Sequence, residues 1–197
     1  AKNPKIAKYF DIPIQHISNT ILKKMNRRTS KKQIEDLITK IRTKIPNVTL
    51  RTSLIVGFPG ETQEDFKELL EFVKETKFDK LGTFMYSKED GTPAAKLPKQ
   101  IHGNTKKARY NKIMKLQQDI SRENLKRKLN NECEILVEDI SFDGKYYIGR
   151  TMQDVPEIDG LVYIKNKNFE RKNIIGKFVK CKIVGISNYD LMAEITN

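Results

Sequence analysis

The chain has few of the residues that build covalent or metal-linked scaffolds. Only two of its 197 residues are cysteine, two are histidine, and tryptophan is absent. The cysteines, Cys133 and Cys181, are too few for a disulfide framework or for a complete set of cluster ligands. We therefore interpret both as packing residues, predict no metal site in this chain, and expect a protein of the reducing cytoplasm.

Long hydrophobic runs are also missing. No run of about 18 apolar residues occurs, so the sequence predicts no membrane span. The first residues, 1–4, lack the apolar core of a signal peptide. The chain begins without methionine and enters a strand-like run almost at once, so we expect it to be part of a longer protein.

Positive charge is plentiful but unevenly placed. The formal net charge is +13, yet residues 129–197 carry nine Lys+Arg against eleven Asp+Glu, a net charge of −2. Residues 96–128 carry eleven basic and two acidic groups, a net charge of +9. A basic helix there could contact phosphates, because each neutralised phosphate releases counterions. The alternative is a solvated connector helix, and the sequence leaves both open.

Residues 1–95 alternate between strand-like and helix-like patterns. The strand-like runs are Tyr9–Gln15, Val48–Val56 and Lys80–Tyr86. This rhythm predicts an α/β fold in which helices cover a parallel sheet, and three such units give a partial (β/α) barrel fragment with open edges. The expected helix caps are Ser18, Ser30, which forms a capping box with Gln33, and Thr62.

Residues 129–197 have a different pattern, with short strands separated by turns such as Asp143-Gly144 and Asp159-Gly160. Five short strands in so few residues predict a small all-β, OB-like barrel. The strands are expected at Glu132–Asp139, Lys145–Arg150, Gly160–Ile164, Lys177–Ile186 and Tyr189–Ile195. The predicted domains are residues 1–95, a basic linker helix within 96–128 (about 105–128), and residues 129–197.

The second strand carries polar residues where a buried parallel strand is normally apolar. Alternate side chains of a strand point to the same face, so Arg51, Ser53 and Ile55 lie on one face. If the opposite, more apolar face meets the helices, Arg51 and Ser53 point into the barrel. A guanidinium there needs an anion, which is either a ligand carboxylate or an internal partner such as Asp11.

A glycine-containing turn, residues 57–62, joins this strand to the next helix. Ligands bind at this position in parallel α/β and barrel folds, and the glycines let the backbone approach a bound group. The Gly-Lys-Ser/Thr ending of a phosphate loop is missing, and such a turn by itself is more often structural.

Several motifs in register carry a resemblance to a known family. They are Asp11–His16, Ile21–Arg27, Arg51–Thr62, Phe84–Ser87, Gly91–Ala95 and Gln117–Ser121. Their order and spacing resemble the radical-SAM methylthiotransferases, and residues 129–197 resemble that family's TRAM domain. The resemblance therefore covers essentially the whole chain.

Within that family one branch modifies transfer RNA and another modifies a small-subunit ribosomal protein. Gln15-His16, residues 51–53 and residues 156–160 are similar to the ribosomal-protein branch. A barrel of net charge −2 is also poorly suited to holding an RNA backbone. The resemblance implies a methylthio group added to an aspartate of the ribosomal protein, which the TRAM-like domain contacts. A transfer RNA methylthiotransferase and a non-catalytic RNA- or ribosome-binding module remain alternatives.

The resemblance further implies S-adenosylmethionine and two [4Fe-4S] clusters in the full-length enzyme. The cysteine motifs that bind those clusters are not in this chain, so we assign it no catalytic residue and predict that it is inactive alone. His16 either lines the cofactor cavity or is structural, and His102 is expected in solvent.

The implied cofactor-binding residues are Gln15, Arg51, Ser53, Ile55, Phe58 and Met85. In this hypothesis Gln15 hydrogen-bonds the cofactor's polar end, and Arg51 pairs with its carboxylate with help from Ser53. Ile55 and Phe58 flank the adenine, and Met85 on the third strand completes the apolar wall, although core packing is the commoner role of a methionine.

Overall fold

The structure is a computed structural model, and it describes residues 3, 5–166 and 174–196. These residues form two compact units. The first comprises residues 10–120, and the second comprises residues 121–196 together with the described residues up to Tyr9.

The first unit contains a three-stranded sheet in the order β1-β2-β3, with β2 and β3 parallel. The strands are β1 (Tyr9–Asp11), β2 (Thr49–Val56) and β3 (Lys80–Met85). The helices are α1 (Asn19–Lys24), α2 (Lys31–Lys44), α3 (Gln63–Thr76) and most of α4 (Gly103–Lys126), whose last six residues belong to the second unit, and a short 3-10 helix lies at Pro93–Lys96. The alternating pattern predicted from the sequence is confirmed, although β1 ends four residues earlier than expected.

Two of the three predicted helix caps are confirmed. Ser30 and Gln33 form the expected capping box at α2, and Thr62 forms a second one with Asp65 at α3. Ser18 precedes α1, but its side chain makes no cap hydrogen bond to the helix. Its hydroxyl donates instead to the Asp65 carboxylate, so a tertiary partner has replaced the local one.

The two faces of β2 separate as the period of two predicts. Leu50, Leu54 and Val56 are fully buried against the helices, in a core that includes Phe66 of α3 and Ile113 of α4. The other face, which carries Arg51, Ser53 and Ile55, is only half-buried. This second face is therefore the one on which a ligand can lie.

Helix α4 begins two residues earlier and ends two residues earlier than predicted. Its inner side includes Ile113, Gln117 and Ile120, and the Gln117 amide donates to the Phe78 carbonyl at 2.9 Å. In the described part of the chain, no helix combines the length and the apolar character that crossing a membrane requires.

The second unit contains the closed barrel that the short strands predict. Its strand order is β4-β5-β6-β8-β7. The strands are β4 (Glu132–Ile140), β5 (Tyr146–Arg150), β6 (Val162–Lys165), β7 (Phe178–Ile186) and β8 (Leu191–Ile195). The predicted start of β6 at Gly160 is two residues early. A β-carbon at Gly160 would lie 2.0 Å from the Tyr189 carbonyl oxygen, so this glycine permits a close contact between loops.

The two cysteines lie directly opposite each other on β4 and β7. Both are free thiols in the barrel core, Cys181 fully buried and Cys133 partly so. Burial raises the pKa of Cys133, and burial together with the neighbouring Cys133 raises the pKa of Cys181 to about 12. Their placement agrees with the packing role expected from the sequence.

Candidate functional site

The carboxyl ends of the parallel strands meet at one edge of the sheet, where ligands bind in such folds. Gln15 follows β1 and is bound to β2 by two backbone hydrogen bonds. Its amide donates to the Ser53 carbonyl at 2.9 Å, and its carbonyl accepts from the Ile55 amide at 2.8 Å. Its φ of +68° lies in the left-handed region, which residues other than glycine adopt mainly where neighbours enforce it.

The half-buried face of the sheet grades from polar to apolar. The register of β2 and β3 pairs Ser53 with Gly82 and Ile55 with Phe84. Gly82 has no side chain, and the Phe84 ring lies beside it, with Cε2 3.8 Å from the place of a β-carbon on Gly82. Phe84 is 58% exposed and covers the apolar end.

Arg51 forms an ion pair with Asp11 of the neighbouring strand. This is the internal partner that the sequence left open as an alternative to a ligand. A guanidinium has several N–H donors, so this contact does not exhaust its hydrogen-bonding capacity. The structure therefore shows the countercharge of Arg51 and leaves it able to bind a further acceptor.

Met85 does not share the face of Ile55. It pairs in register with Val56, whereas its neighbour Phe84 pairs with Ile55. Successive side chains on a strand point to opposite faces, so Phe84, which was not among the residues assigned from the sequence, stands beside Ile55 where Met85 was expected.

Phe58 is buried in the turn after β2. Its ring meets the Tyr86 ring edge-on, with centroids 5.1 Å apart. Lys106 of α4 lies above the same Tyr86 ring at 4.9 Å and donates to the Tyr86 carbonyl at 2.7 Å. A cation of the basic helix thus holds the end of β3.

We call residues 57–60 the motif loop, and its amides are already satisfied within the protein. One carboxylate oxygen of Glu61 accepts hydrogen bonds from the amides of Gly57 and Phe58. The Gly60 amide donates to the Lys99 carbonyl, and its own carbonyl accepts from Lys24. Since the Glu61 carboxylate fills the amide cradle, the motif loop does not offer it to a phosphate, in agreement with the missing phosphate-loop ending.

The second Glu61 oxygen faces two buried side chains. Arg109 Nη1 lies 3.3 Å from it, and His16 Nε2 lies 3.9 Å away. His16 is fully buried, and its Nδ1 accepts from the Ser18 amide. His16 therefore lies beside Glu61, whose other carboxylate oxygen holds the amides of the motif loop. His102 is exposed, as expected.

Sequence reasoning missed Glu61 and Arg109. Glu61 lies inside the Arg51–Thr62 motif, but no neighbouring residue in the sequence indicates that its carboxylate is buried. Arg109 belongs to α4, and the many cations of that helix are typical of a solvent-exposed surface. The available signal was its spacing of four and eight residues from Ile113 and Gln117, which places it on the inner side.

Two family models match separate parts of the chain. The family model of the Radical SAM superfamily matches residues 2–73, and the TRAM domain model matches residues 131–196. The chain is 57% identical over 194 residues to the ribosomal protein uS12 methylthiotransferase RimO of Alkaliphilus oremlandii. It is 50% identical to the RimO of Desulforamulus reducens and 48% identical to that of Geobacter sulfurreducens.

Over nearly its whole length the chain is therefore similar to the RimO methylthiotransferases. These alignments cover 98–99% of the chain but only 42–44% of each relative. The chain thus spans less than half the length of the curated relatives it matches. The motif loop lies inside the Radical SAM match, whereas Arg109 lies between the two matched segments.

Cluster ligands are not found among the described residues. Across residues 3, 5–166 and 174–196, no group of three His, Cys, Asp or Glu side chains could hold a metal ion. The polar-to-apolar face of the sheet does fit a ligand that carries a carboxylate at one end and a flat ring at the other.

Proposed function

We propose that the chain is the C-terminal part of an enzyme that adds a methylthio group to an aspartate of ribosomal protein uS12. The observation that carries this proposal is identity of 47–57%, sustained over nearly the whole chain, to relatives named as uS12 methylthiotransferases. The working parts are residues 1–95, the basic linker helix within residues 96–128, and the barrel of residues 129–197. We place the protein in the cytoplasm, where ribosomes are modified.

The proposal divides the chemistry between two parts of a longer protein. A reduced [4Fe-4S] cluster with S-adenosylmethionine supplies the radical chemistry, and the ligands of both clusters belong to the part outside this chain. The present residues bind and orient the cofactor. By this reasoning the 197-residue chain has no activity alone.

The cofactor-binding residues are assigned along the half-buried face of the sheet. Arg51 neutralises the cofactor's carboxylate, while Asp11 holds the guanidinium in place. Gln15 and Ser53 supply further polar contacts at that end. Ile55 and Phe84 meet the flat ring, and the buried Phe58 anchors the motif loop against Tyr86.

The function is tested with the full-length protein and its clusters reconstituted. Incubation with uS12 should give the mass increase of one methylthio group on an aspartate. Transfer RNA is the parallel substrate, and modification of transfer RNA alone would assign the chain to the other branch. Binding of either molecule without modification would favour a non-catalytic module.

The cofactor site is tested with Arg51→Gln. Affinity for S-adenosylmethionine should fall on the order of tenfold or more, because a charge-assisted contact is lost. Lys40→Gln, which removes an exposed cation from α2, is the matched control. Equal affinity in both variants would remove Arg51 from the site.

For partners, we assign uS12 to the barrel and a possible RNA contact to the helix within residues 105–128. On the barrel, Glu132 and Glu134 pair across strands with Lys182 and Lys180, so the outer charges there largely cancel. On α4, exposed cations remain at Lys107, Lys112 and Arg122. If RNA binds there, affinity should fall steeply with salt and should weaken further in a variant lacking these three charges.

A further inference from the structure

Arg109 differs from the other cations of α4 because its guanidinium is buried within the first unit. The residue is 7% exposed. It donates to the carbonyl oxygens of Glu61 at 3.2 Å and Thr62 at 3.3 Å, and it lies over the Phe66 ring at 5.3 Å. It therefore contacts the junction between the motif loop and α3.

The carboxylate of Glu61 links Arg109 to the motif loop. One oxygen lies 3.3 Å from Arg109 Nη1, and the other accepts the amides of Gly57 and Phe58. The two side chains are 8% and 0% exposed. A buried carboxylate that loses its countercharge either takes up a proton or turns towards water. In both cases the two loop amides lose their ionised acceptor.

We propose that Arg109 is a positioning residue, which acts through Glu61 to hold the motif loop in its cofactor-facing shape. Its consequence for catalysis rests on the proposed function, whereas its effect on the loop does not. When the guanidinium is removed, the backbone N–H groups of Gly57 and Phe58 lose their hydrogen bonds to Glu61. Phe58 then loses its fixed place against Tyr86. The competing account is an ion pair that only stabilises the fold.

The test uses the full-length protein with Arg109→Met, Glu61→Gln, the double variant and Lys40→Met as the matched control. Methionine keeps an unbranched stem over Phe66. In Glu61→Gln the amide N–H groups face the guanidinium, whereas in the double variant the glutamine oxygen can serve the loop amides without that conflict. Hydrogen exchange of a peptide covering residues 57–60 and the dissociation constant for S-adenosylmethionine are measured.

Arg109→Met should speed exchange in the motif loop at least tenfold and raise the dissociation constant about tenfold, since small displacements of binding groups are costly. Lys40→Met should change neither quantity. The double variant should recover part of the loop protection that each single variant loses. This recovery is the sign that Arg109 acts through Glu61.

A lower melting temperature of Arg109→Met with loop exchange and affinity equal to wild type would overturn the proposal. If Arg109→Met does not fold, Arg109→Lys decides. Lysine keeps the charge but lacks the fork that serves a carboxylate and two carbonyls together, so exchange should still rise. If the wild type binds no S-adenosylmethionine, the exchange data still test Arg109, and only the proposed function fails.

Discussion

Gly57 passes so close to Lys106 that a β-carbon on the glycine would lie 2.4 Å from Lys106 Cγ. The same lysine donates to the Tyr86 carbonyl, so it cannot move aside without releasing the end of β3. The contact explains why the residue after β2 must be glycine. It also ties the motif loop to α4 at a second point, beside the Glu61–Arg109 pair.

The first prediction follows from this contact. Gly57→Ala should destabilise the chain by more than the left-handed backbone alone, which costs about 1–2 kcal/mol for a residue with a β-carbon. Gly91→Ala is the control, because Gly91 has a φ of +83° against +73° for Gly57 and nothing within 4 Å. Urea denaturation measures both. Equal losses of stability in the two variants would mean that the Lys106 side chain moves aside without cost.

The second prediction concerns thiol reactivity. Because burial raises the pKa of both Cys133 and Cys181, the latter to about 12, little thiolate is present near neutral pH. We expect iodoacetamide to leave the native chain unlabelled at pH 7.5 and to label both thiols in urea. Rapid labelling of Cys133→Ala would show that Cys181 is accessible.

The raised pKa values of the thiols also predict the pH range over which the second unit loses stability. The two thiols bind their protons more tightly in the folded barrel than in the unfolded chain, where a cysteine has a pKa of about 8.5. The stability contribution is therefore complete below that pH and is lost as the pH rises towards 12. Cys181→Ala should flatten the alkaline part of the stability profile.

Local signals in the sequence account for most of the fold. The capping box at Ser30, the period of two along β2 and the turn at Asp143-Gly144 each act within a few residues, and the structure contains them. Pairings between distant residues left no such signal. The opposition of Cys133 and Cys181 depends on the register of two strands, and the Glu61–Arg109 pair depends on how a helix docks. The choice between Phe84 and Met85 as the neighbour of Ile55 also depends on register, because a one-residue shift exchanges the faces of a strand.

The third prediction concerns the link between the loop after β1 and α3. Burial would raise the pKa of Asp65, but hydrogen bonds from Ser18 and Thr62 outweigh it and hold the pKa below its usual value. A lowered folded pKa contributes stability at neutral pH, and that contribution is lost as the pH falls through the folded pKa.

Removal of the Ser18 hydroxyl should therefore move the Asp65 pKa upward. Ser18→Ala should bring the acid loss of stability to a higher pH, as followed by unfolding between pH 2 and pH 7 and by carboxyl NMR. Ser30→Ala, which removes a cap without contact to Asp65, should lower stability by about 1 kcal/mol at every pH. If Ser18→Ala also loses the same amount of stability at every pH, the Ser18 hydroxyl does not influence the pKa of Asp65.

The fourth prediction separates the two faces of β3. Phe84 stands beside Ile55 on the proposed cofactor face, whereas Met85 stands beside Val56 on the other. In the full-length protein, Phe84→Ala should weaken binding of S-adenosylmethionine about tenfold, in line with 1–3 kcal/mol for a lost base–aromatic stack. Met85→Ala should bind as the wild type does. Both side chains are about half exposed, so neither substitution should cost much stability. The reverse pattern of affinities would contradict this assignment and would place the adenine beside Met85.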